Sequence, residues 1–404
     1  MPGFIFVLTL AAILSFCFFE ARAETGDKTS SSPKLEVYAS MLVAGPGELI
    51  YQSTGHSAIR LQCPGAGLDN VFTYEANEGS IVSHLIGKSK GRYVRISFAD
   101  YLAPFQAEHR YVKSLPLNLT DSQIRRLWQL LDEASESGTE DGFNMRRTNC
   151  NSKAMEKITE SLGDRRIVMN EDSVENLNNA SVVNLAVGQH SPWHAFIINC
   201  ATGAGTDGKD PWQTRMVPVL MERYFSTAEI EDNDGNSRPL LSGEPTVIYE
   251  PSEDNRWRWP HPGAVFGLLL AFVCMISVCE IRGCFLPVVR IADYVLLGLQ
   301  SMCSVLLLVL AVVPAGVGDG WNWLFIPLNP LPLIVLFIFH KKTLCRKFFT
   351  LYGFACALFV LAPLVTAVAD INTSMLSLAI AVRVLTHLLS TYKQRTPKQN
   401  LYKK

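Results

Sequence analysis

The sequence predicts an α+β exported domain followed by an all-α, polytopic membrane domain of about five transmembrane helices. Three observations carry that expectation. The chain opens with an apolar run from Phe4 to Phe19 followed by the small-x-small pattern Ala21-Arg22-Ala23, the layout of a secretory leader. Residues 35 to 250 mix strand-like alternation with amphipathic helical stretches. Residues 264 to 391 hold long apolar runs separated by short polar loops, and they push the composition to 48% hydrophobic and 18% charged, too apolar for an ordinary soluble enzyme. The expected organisation is a signal peptide over 1–23, a linker over 24–34, an exported domain over 35–250, a membrane domain over 262–392 and a basic tail over 393–404. The leader lacks a basic start, so an uncleaved anchor is the alternative to cleavage.

In the exported half, LEVYASMLVAG (35–45) reads as a first strand and turn. In GHSAIRL, alternation puts Ser57, Ile59 and Leu61 on one face and His56, Ala58 and Arg60 on the other, as in a half-buried strand. VFTYEA (71–76), RYVRISF and the following AEHRYVKSLPL read as further extended segments. A helix begins at LTDSQIRRLWQLLDEA, where Thr120 and Gln123 are spaced as a capping box ahead of the apolar stripe Ile124, Leu127, Trp128 and Leu131. TNCNSKAMEKITESLG is a second helix, with Ala154, Met155, Ile158 and Leu162 as its stripe and Gly163 ending it. HSPWHAFI and MVPVLMERYFS are expected as helices lying against the membrane half.

A bilayer core takes about 20 apolar residues per helix. Five stretches qualify: 264–281, 291–313, 324–340, 348–369 and 375–391. Arg282 and Arg290 follow the first, five basic residues from His340 to Lys347 follow the third, and KQRTPKQNLYKK follows the fifth, whereas GVGDGWNW and ADINTS carry no lysine or arginine. The positive-inside rule therefore puts the tail in the cytoplasm and the exported half outside, the side the leader also demands. Arg383 and His387, four apart on one face of the last span, are candidate substrate contacts, with snorkelling toward the surface as the plainer reading. Trp321 and Trp323 suit an interfacial belt.

The net charge of −1 averages two differently built halves. There is no basic patch interleaved with aromatics, no glycine-rich phosphate loop and no zinc-like cysteine pair, so nucleic acid is not an expected partner and no metal site is expected. Of ten cysteines, Cys17 lies in the leader and six lie in or beside apolar spans, leaving Cys63, Cys150 and Cys200 in the exported domain. An odd number in an oxidising compartment leaves a thiol unpaired; pairing Cys63 with Cys200 would leave Cys150. Cys150 falls in or just before the first turn of its helix, where free N–H groups and the helix dipole favour thiolate. Its base would be one of His56, His84, His109, His190 and His194; His56 stands out because it opens a strand between a glycine and a small residue.

The run YASMLVAGPGELIYQSTGHSAIRL, then VFTYEA, HRYVKSLPLNLT and RRTNCNSKAME, with HSPWHAFI and Asn329-Pro330-Leu331, resembles the bacterial lipoprotein N-acyltransferase family Lnb. The exported domain also resembles circularly permuted papain-like enzymes of the lecithin:retinol acyltransferase group, in which a strand histidine precedes a helix-start cysteine. The resemblance implies Cys150 as nucleophile and His56 as base, with the third residue among Thr73, Tyr74 and Glu75, of which Tyr74 is the expected one. Asn149 either caps the helix or donates to an oxyanion. The implied activity is transfer of an acyl chain from a phospholipid, through a Cys150 thioester, to the α-amine of a lipoprotein's lipidated N-terminal cysteine, at the periplasmic side of the bacterial inner membrane. Neither metal nor diffusible cofactor is required for it. The same dyad would serve a membrane-anchored cysteine amidase or peptidase, and a non-enzymatic assembly factor is the third reading.

Overall fold

Strand β1 (Tyr38–Ala44) is an apolar run buried on both faces, and it pairs antiparallel with β2 (His56–Cys63) so that Ala44 lies opposite His56. The computed structural model describes residues 35–77, 83, 88–144, 148–169, 179–202, 217–252, 259–312, 322–338, 342–361 and 371–395. The expected leader and linker, His84, Trp321 and the tail beyond 395 lie outside the described residues.

Strands β3 (Leu68–Ala76) and β4 (Lys90–Ser97) extend the pairing on one side, and β5 (Val112–Pro116) pairs with β1 on the other. With β6 (Asp141–Gly142) and β10 (Thr246–Tyr249) at its edges, the sheet has the order β10-β5-β1-β2-β3-β4-β6, and its recorded pairings are antiparallel. The expectation of a half-buried β2 is corrected: both faces are covered. Ile59 and Leu61 pack with Leu127 and Leu131 of α2 (Asp121–Ser137) and Ile158 of α3 (Cys150–Ser161), while Ala58 packs on the opposite side with Tyr101 and Phe105 of α1 (Phe98–Ala107).

Helix α1 fills the stretch between the two expected extended segments, RYVRISF and AEHRYVKSLPL, for which the sequence predicts no element. Its start is fixed by Ser97, whose hydroxyl accepts the N–H of Asp100 at 3.1 Å, a cap lying directly at the end of a β-period run that masks it. Helix α2 starts at the expected capping box of Thr120 and Gln123. A smaller sheet, β7 (Arg166–Met169), β8 (Ala228–Glu231) and β9 (Ser237–Pro239), adds Met169 and Ile230 to the main core.

HSPWHAFI forms α4 (Pro192–Thr202), which does lie against the membrane half. The indole N–H of Trp193 donates to the Pro260 carbonyl at 2.7 Å, the Phe196 ring sits 5.0 Å from Phe266, and the Asn322 side chain donates to the Cys200 carbonyl at 2.7 Å. MVPVLMERYFS does not follow it. Its turn Pro218–Leu220 and helix α5 (Met221–Phe225) bury Leu220, Met221, Tyr224 and Phe225 in the core of the exported domain. Their large apolar side chains face the sheet rather than lipid.

Three described helices are long and apolar enough to cross a membrane: α6 (Pro262–Arg282), α7 (Leu286–Val312) and the Ile371–Ser390 stretch of α10 (Ile371–Arg395). Of the expected third span, the described part is a 3-10 turn, Trp323–Phe325, and an eight-residue helix, α8 (Leu331–Ile338); of the fourth, it is α9 (Lys342–Phe359). Pro327 and Pro330 interrupt the former, since each removes a donor and clashes with the preceding turn. The Pro327 carbonyl is met by the Tyr352 hydroxyl at 2.6 Å and the Gln300 amide at 3.1 Å, so the break is satisfied within protein.

Candidate active site

The N-terminus of α3 faces the start of β2. Asn149 is the N-cap residue: its side-chain oxygen accepts the N–H groups of Asn151 and Ser152 at 2.9 and 3.0 Å, and its own N–H donates to the Ser152 hydroxyl at 2.9 Å. The cap therefore engages the N–H groups on either side of Cys150 and leaves that of Cys150 itself, the first helical residue, pointing out of the helix end. Deeper in the turn, the buried Asn151 side chain donates to the Met221 sulfur at 2.9 Å, tying α3 to α5.

The turn that delivers His56 requires glycine at position 55. Gly55 has φ of 83°, and a Cβ there would lie 2.4 Å from the Ala44 carbonyl oxygen. Val219 closes on the same turn, its N–H donating to the Thr54 carbonyl at 3.2 Å.

The His56 imidazole and the Cys150 thiol lie close enough for each to shift the other's ionisation, and the imidazole Nε2 lies 2.7 Å from the Thr73 hydroxyl on β3. Both reacting groups are largely enclosed yet keep an accessible edge. Burial pushes the Cys150 thiol up, but the charge of His56, its hydrogen bond and contacts from Ser57 outweigh burial and bring the pKa down from 9.0 to about 7. For His56 burial acts downward, while the Cys150 charge and hydrogen bond and the Glu75 carboxylate act upward and Arg110 acts downward; the net shift is upward. The pair thus favours thiolate beside imidazolium, the form in which a cysteine is nucleophilic.

The sheet face behind the imidazole is aromatic. Phe105 stacks on His56 with centroids 6.2 Å apart and planes at 23°, and Tyr101 lies 6.4 Å away. Burial raises the Tyr101 phenol well above the working range, so it stays protonated.

Cys150 and His56 are therefore brought together, but Tyr74 does not join them. Alternation along β3 turns Thr73 and Tyr74 to opposite faces: Thr73 meets His56, whereas the Tyr74 ring stacks on Phe143, meets Tyr93 edge-on and lies 5.8 Å from the Lys153 ammonium beside α3. Asn149 spends its side-chain oxygen on the cap. Arg383 and His387 are engaged elsewhere: Arg383 pairs with Glu280 on α6 at 2.5 Å and Asp293 on α7 at 2.7 Å, and His387 meets Glu280 at 2.9 Å. Glu280 lies about 27 Å along α6 from Pro262 at helical rise. Arg383 is thus held between helices by two carboxylates rather than reaching toward an aqueous surface. No disulfide joins Cys63 and Cys200: one lies in the sheet core and the other on α4 against Leu307 and Leu324 of the membrane half. Among the other base candidates, His109 occupies a turn at φ of 52° and His190 and His194 belong to the α4 region.

Thr73 was within the sequence candidates; Ser57, Phe105 and Tyr101 were not. The signal for the last two was the Ser97-x-x-Asp100 cap, which announces a helix carrying aromatic residues at a four-residue spacing.

Two family models match this chain. The Lnb N-terminal periplasmic domain matches residues 26–182, which contain Cys150, His56 and Thr73, and the Lnb transmembrane domain matches residues 253–395. No curated protein and no solved structure matches significantly.

Proposed function

The chain belongs to the Lnb family, whose domains mark a lipoprotein-modifying membrane enzyme, and on that premise we propose that it is a lipoprotein N-acyltransferase working through a Cys150 thioester. The observation that carries the reading is the thiol held at about pKa 7 by the His56 imidazole at a helix N-terminus.

In the first half-reaction Cys150 Sγ attacks an ester carbonyl of a membrane phospholipid. The thiol proton rests on His56, at Nδ1 because Nε2 is turned to Thr73. The oxyanion is met by the Cys150 N–H at the helix end. Collapse breaks the ester bond, His56 returns the proton to the departing alkoxide, and a lysophospholipid leaves. In the second half-reaction the α-amine of a lipoprotein's lipidated N-terminal cysteine attacks the thioester, His56 takes the amine proton, and Cys150 departs as the acyl chain becomes an amide. A thioester lies near an ester and well above an amide in energy, so no nucleotide or metal is needed. Thr73, rather than Tyr74, orients the imidazole.

The rest of the reading follows the same premise. The exported domain, 35–250, has a permuted papain-like arrangement, in which the strand histidine precedes the helix-start cysteine. The membrane domain, 262–392, crosses the inner membrane five times and ends in a cytoplasmic tail. The contacts of helix α4 with both halves support a site at the outer surface of the bilayer, where phospholipid would reach it and water is the competitor.

Incubating the full-length protein with a phospholipid bearing a labelled acyl chain tests this directly. Mass spectrometry should find the acyl group on Cys150 and, after addition of a diacylated lipopeptide, on the peptide's α-amine. A covalent adduct from cell-wall peptide in place of the lipid would assign a hydrolase instead.

A further inference from the structure

Behind the imidazole lies a buried cation that the two-step chemistry does not use. Arg110 is 5% exposed. Its guanidinium sits 4.8 Å over the Phe105 ring, the same ring that stacks on His56 at 6.2 Å. The Arg110 Nε donates to the Gly45 carbonyl at 2.8 Å, and one terminal nitrogen pairs with Glu108 at 2.9 Å. Gly45 directly follows Ala44, the residue facing His56 across the β1–β2 ladder. The Arg110 N–H closes the circuit by donating to the Phe105 carbonyl at 2.8 Å. Two of the five guanidinium N–H donors are so committed, and a buried charge is costly enough that its place calls for a reason.

We propose that Arg110 is a positioning residue for His56: it clamps Phe105 against the imidazole, anchors the end of β1 on which His56 is registered, and sets a fixed positive charge behind the ring. The inference rests on the thiolate–imidazole reading of the site. The charged and titratable groups around His56 are Cys150 from α3, Glu75 from β3, Tyr101 from α1 and Arg110 from the turn before β5. Cys150 and Glu75 hold the proton on the imidazole; Arg110 is the one cation among them and opposes it. Without it, the ring would be left to two anionic neighbours and would surrender its proton less readily to the leaving alkoxide. The phenol of Tyr101 stays neutral and leaves that balance unchanged.

The test uses the full-length protein in nanodiscs and follows iodoacetamide alkylation of the Cys150 peptide by mass spectrometry from pH 5 to 10, alongside acyl transfer. Arg110→Gln removes the charge but keeps a donor for Gly45, and Arg110→Lys keeps the charge but loses the planar stack. The inference expects the His56-dependent limb of the alkylation profile to move upward in Arg110→Gln and to stay in place in Arg110→Lys. It also expects kcat for transfer to fall roughly tenfold in the Gln variant with KM unchanged, as for a lost transition-state interaction. Melting temperatures that fall in both variants while neither profile moves would overturn it and make Arg110 a purely structural residue. A wild-type profile that His56→Ala leaves unaltered would instead sink the thiolate–imidazole reading, and the Arg110 role with it.

Discussion

Nε2 of His56 lies 2.7 Å from the hydroxyl of Thr73, across the antiparallel pair β2–β3. That contact fixes the ring plane and assigns one ring nitrogen to the strand, leaving the other for the thiol. Replacing Thr73 with valine keeps the shape and removes the oxygen. The expected result is a loss of about a hundredfold in the rate of Cys150 acylation, the penalty for a misdirected catalytic group, with little change in melting temperature. Tyr74→Phe, on the opposite face, should leave that rate within a factor of two or so, since its hydroxyl meets neither reacting group.

The pH dependence has a definite sign. With the Cys150 pKa lowered from 9.0 to about 7, alkylation of this residue should climb through neutrality and be near its plateau by pH 8. An unperturbed thiol would be only roughly a tenth ionised there. His56→Ala removes the largest favourable influence, so the climb should move to higher pH and acyl transfer should fall by roughly a hundredfold or more. A Cys150 profile unchanged in that variant would mean that the imidazole does not set the thiol's ionisation.

The cap at Asn149 separates helix stability from chemistry. Asn149→Ala removes the acceptor for two N–H groups, which should cost about 1 kcal/mol and lower the melting temperature. Asn149→Ser or Asn149→Asp, which restore an N-cap oxygen, should recover the stability and most of the activity. A side-chain amide donating to the oxyanion would not tolerate such exchanges, so a large fall in kcat in Asn149→Ser with stability recovered would reverse the assignment.

How far the site could be read from the sequence follows from the range of the forces involved. Cys150 at a helix start and His56 at a strand start are local facts, written in the capping spacing and in the two-residue period, and both stand in the structure as read. The choice between Thr73 and Tyr74 needed the register of β3 against β2, which neighbouring residues do not encode. Helix α1 was hidden because FADYLAPFQA combines aromatics with an internal proline, a weak helical signal beside strong strand formers. Its aromatic wall behind His56 was hidden with it. The MVPVLMERYFS segment was misplaced for a related reason: an apolar run does not say whether lipid or a protein core will cover it, and here α5 reaches back to Asn151.

Arg383 carries the last prediction. A guanidinium within a membrane helix is several kcal/mol too costly to stand unpaired, and here the carboxylates of Glu280 and Asp293 bind it from two other helices. Removing one partner of such a cluster leaves the others charged and desolvated, so Arg383→Ala should destabilise the membrane domain by roughly 3–5 kcal/mol. The readout is the melting temperature and the yield of folded protein in detergent. Adding Glu280→Gln and Asp293→Asn to Arg383→Ala removes the orphaned charges and should restore much of the loss, because the penalty resides in the carboxylates left behind. If Arg383 instead gripped a lipid phosphate, Arg383→Ala would fold normally and raise KM for the phospholipid, and the triple variant would recover nothing. The two outcomes differ in both observables, so one set of three proteins decides whether the cluster holds helices or substrate.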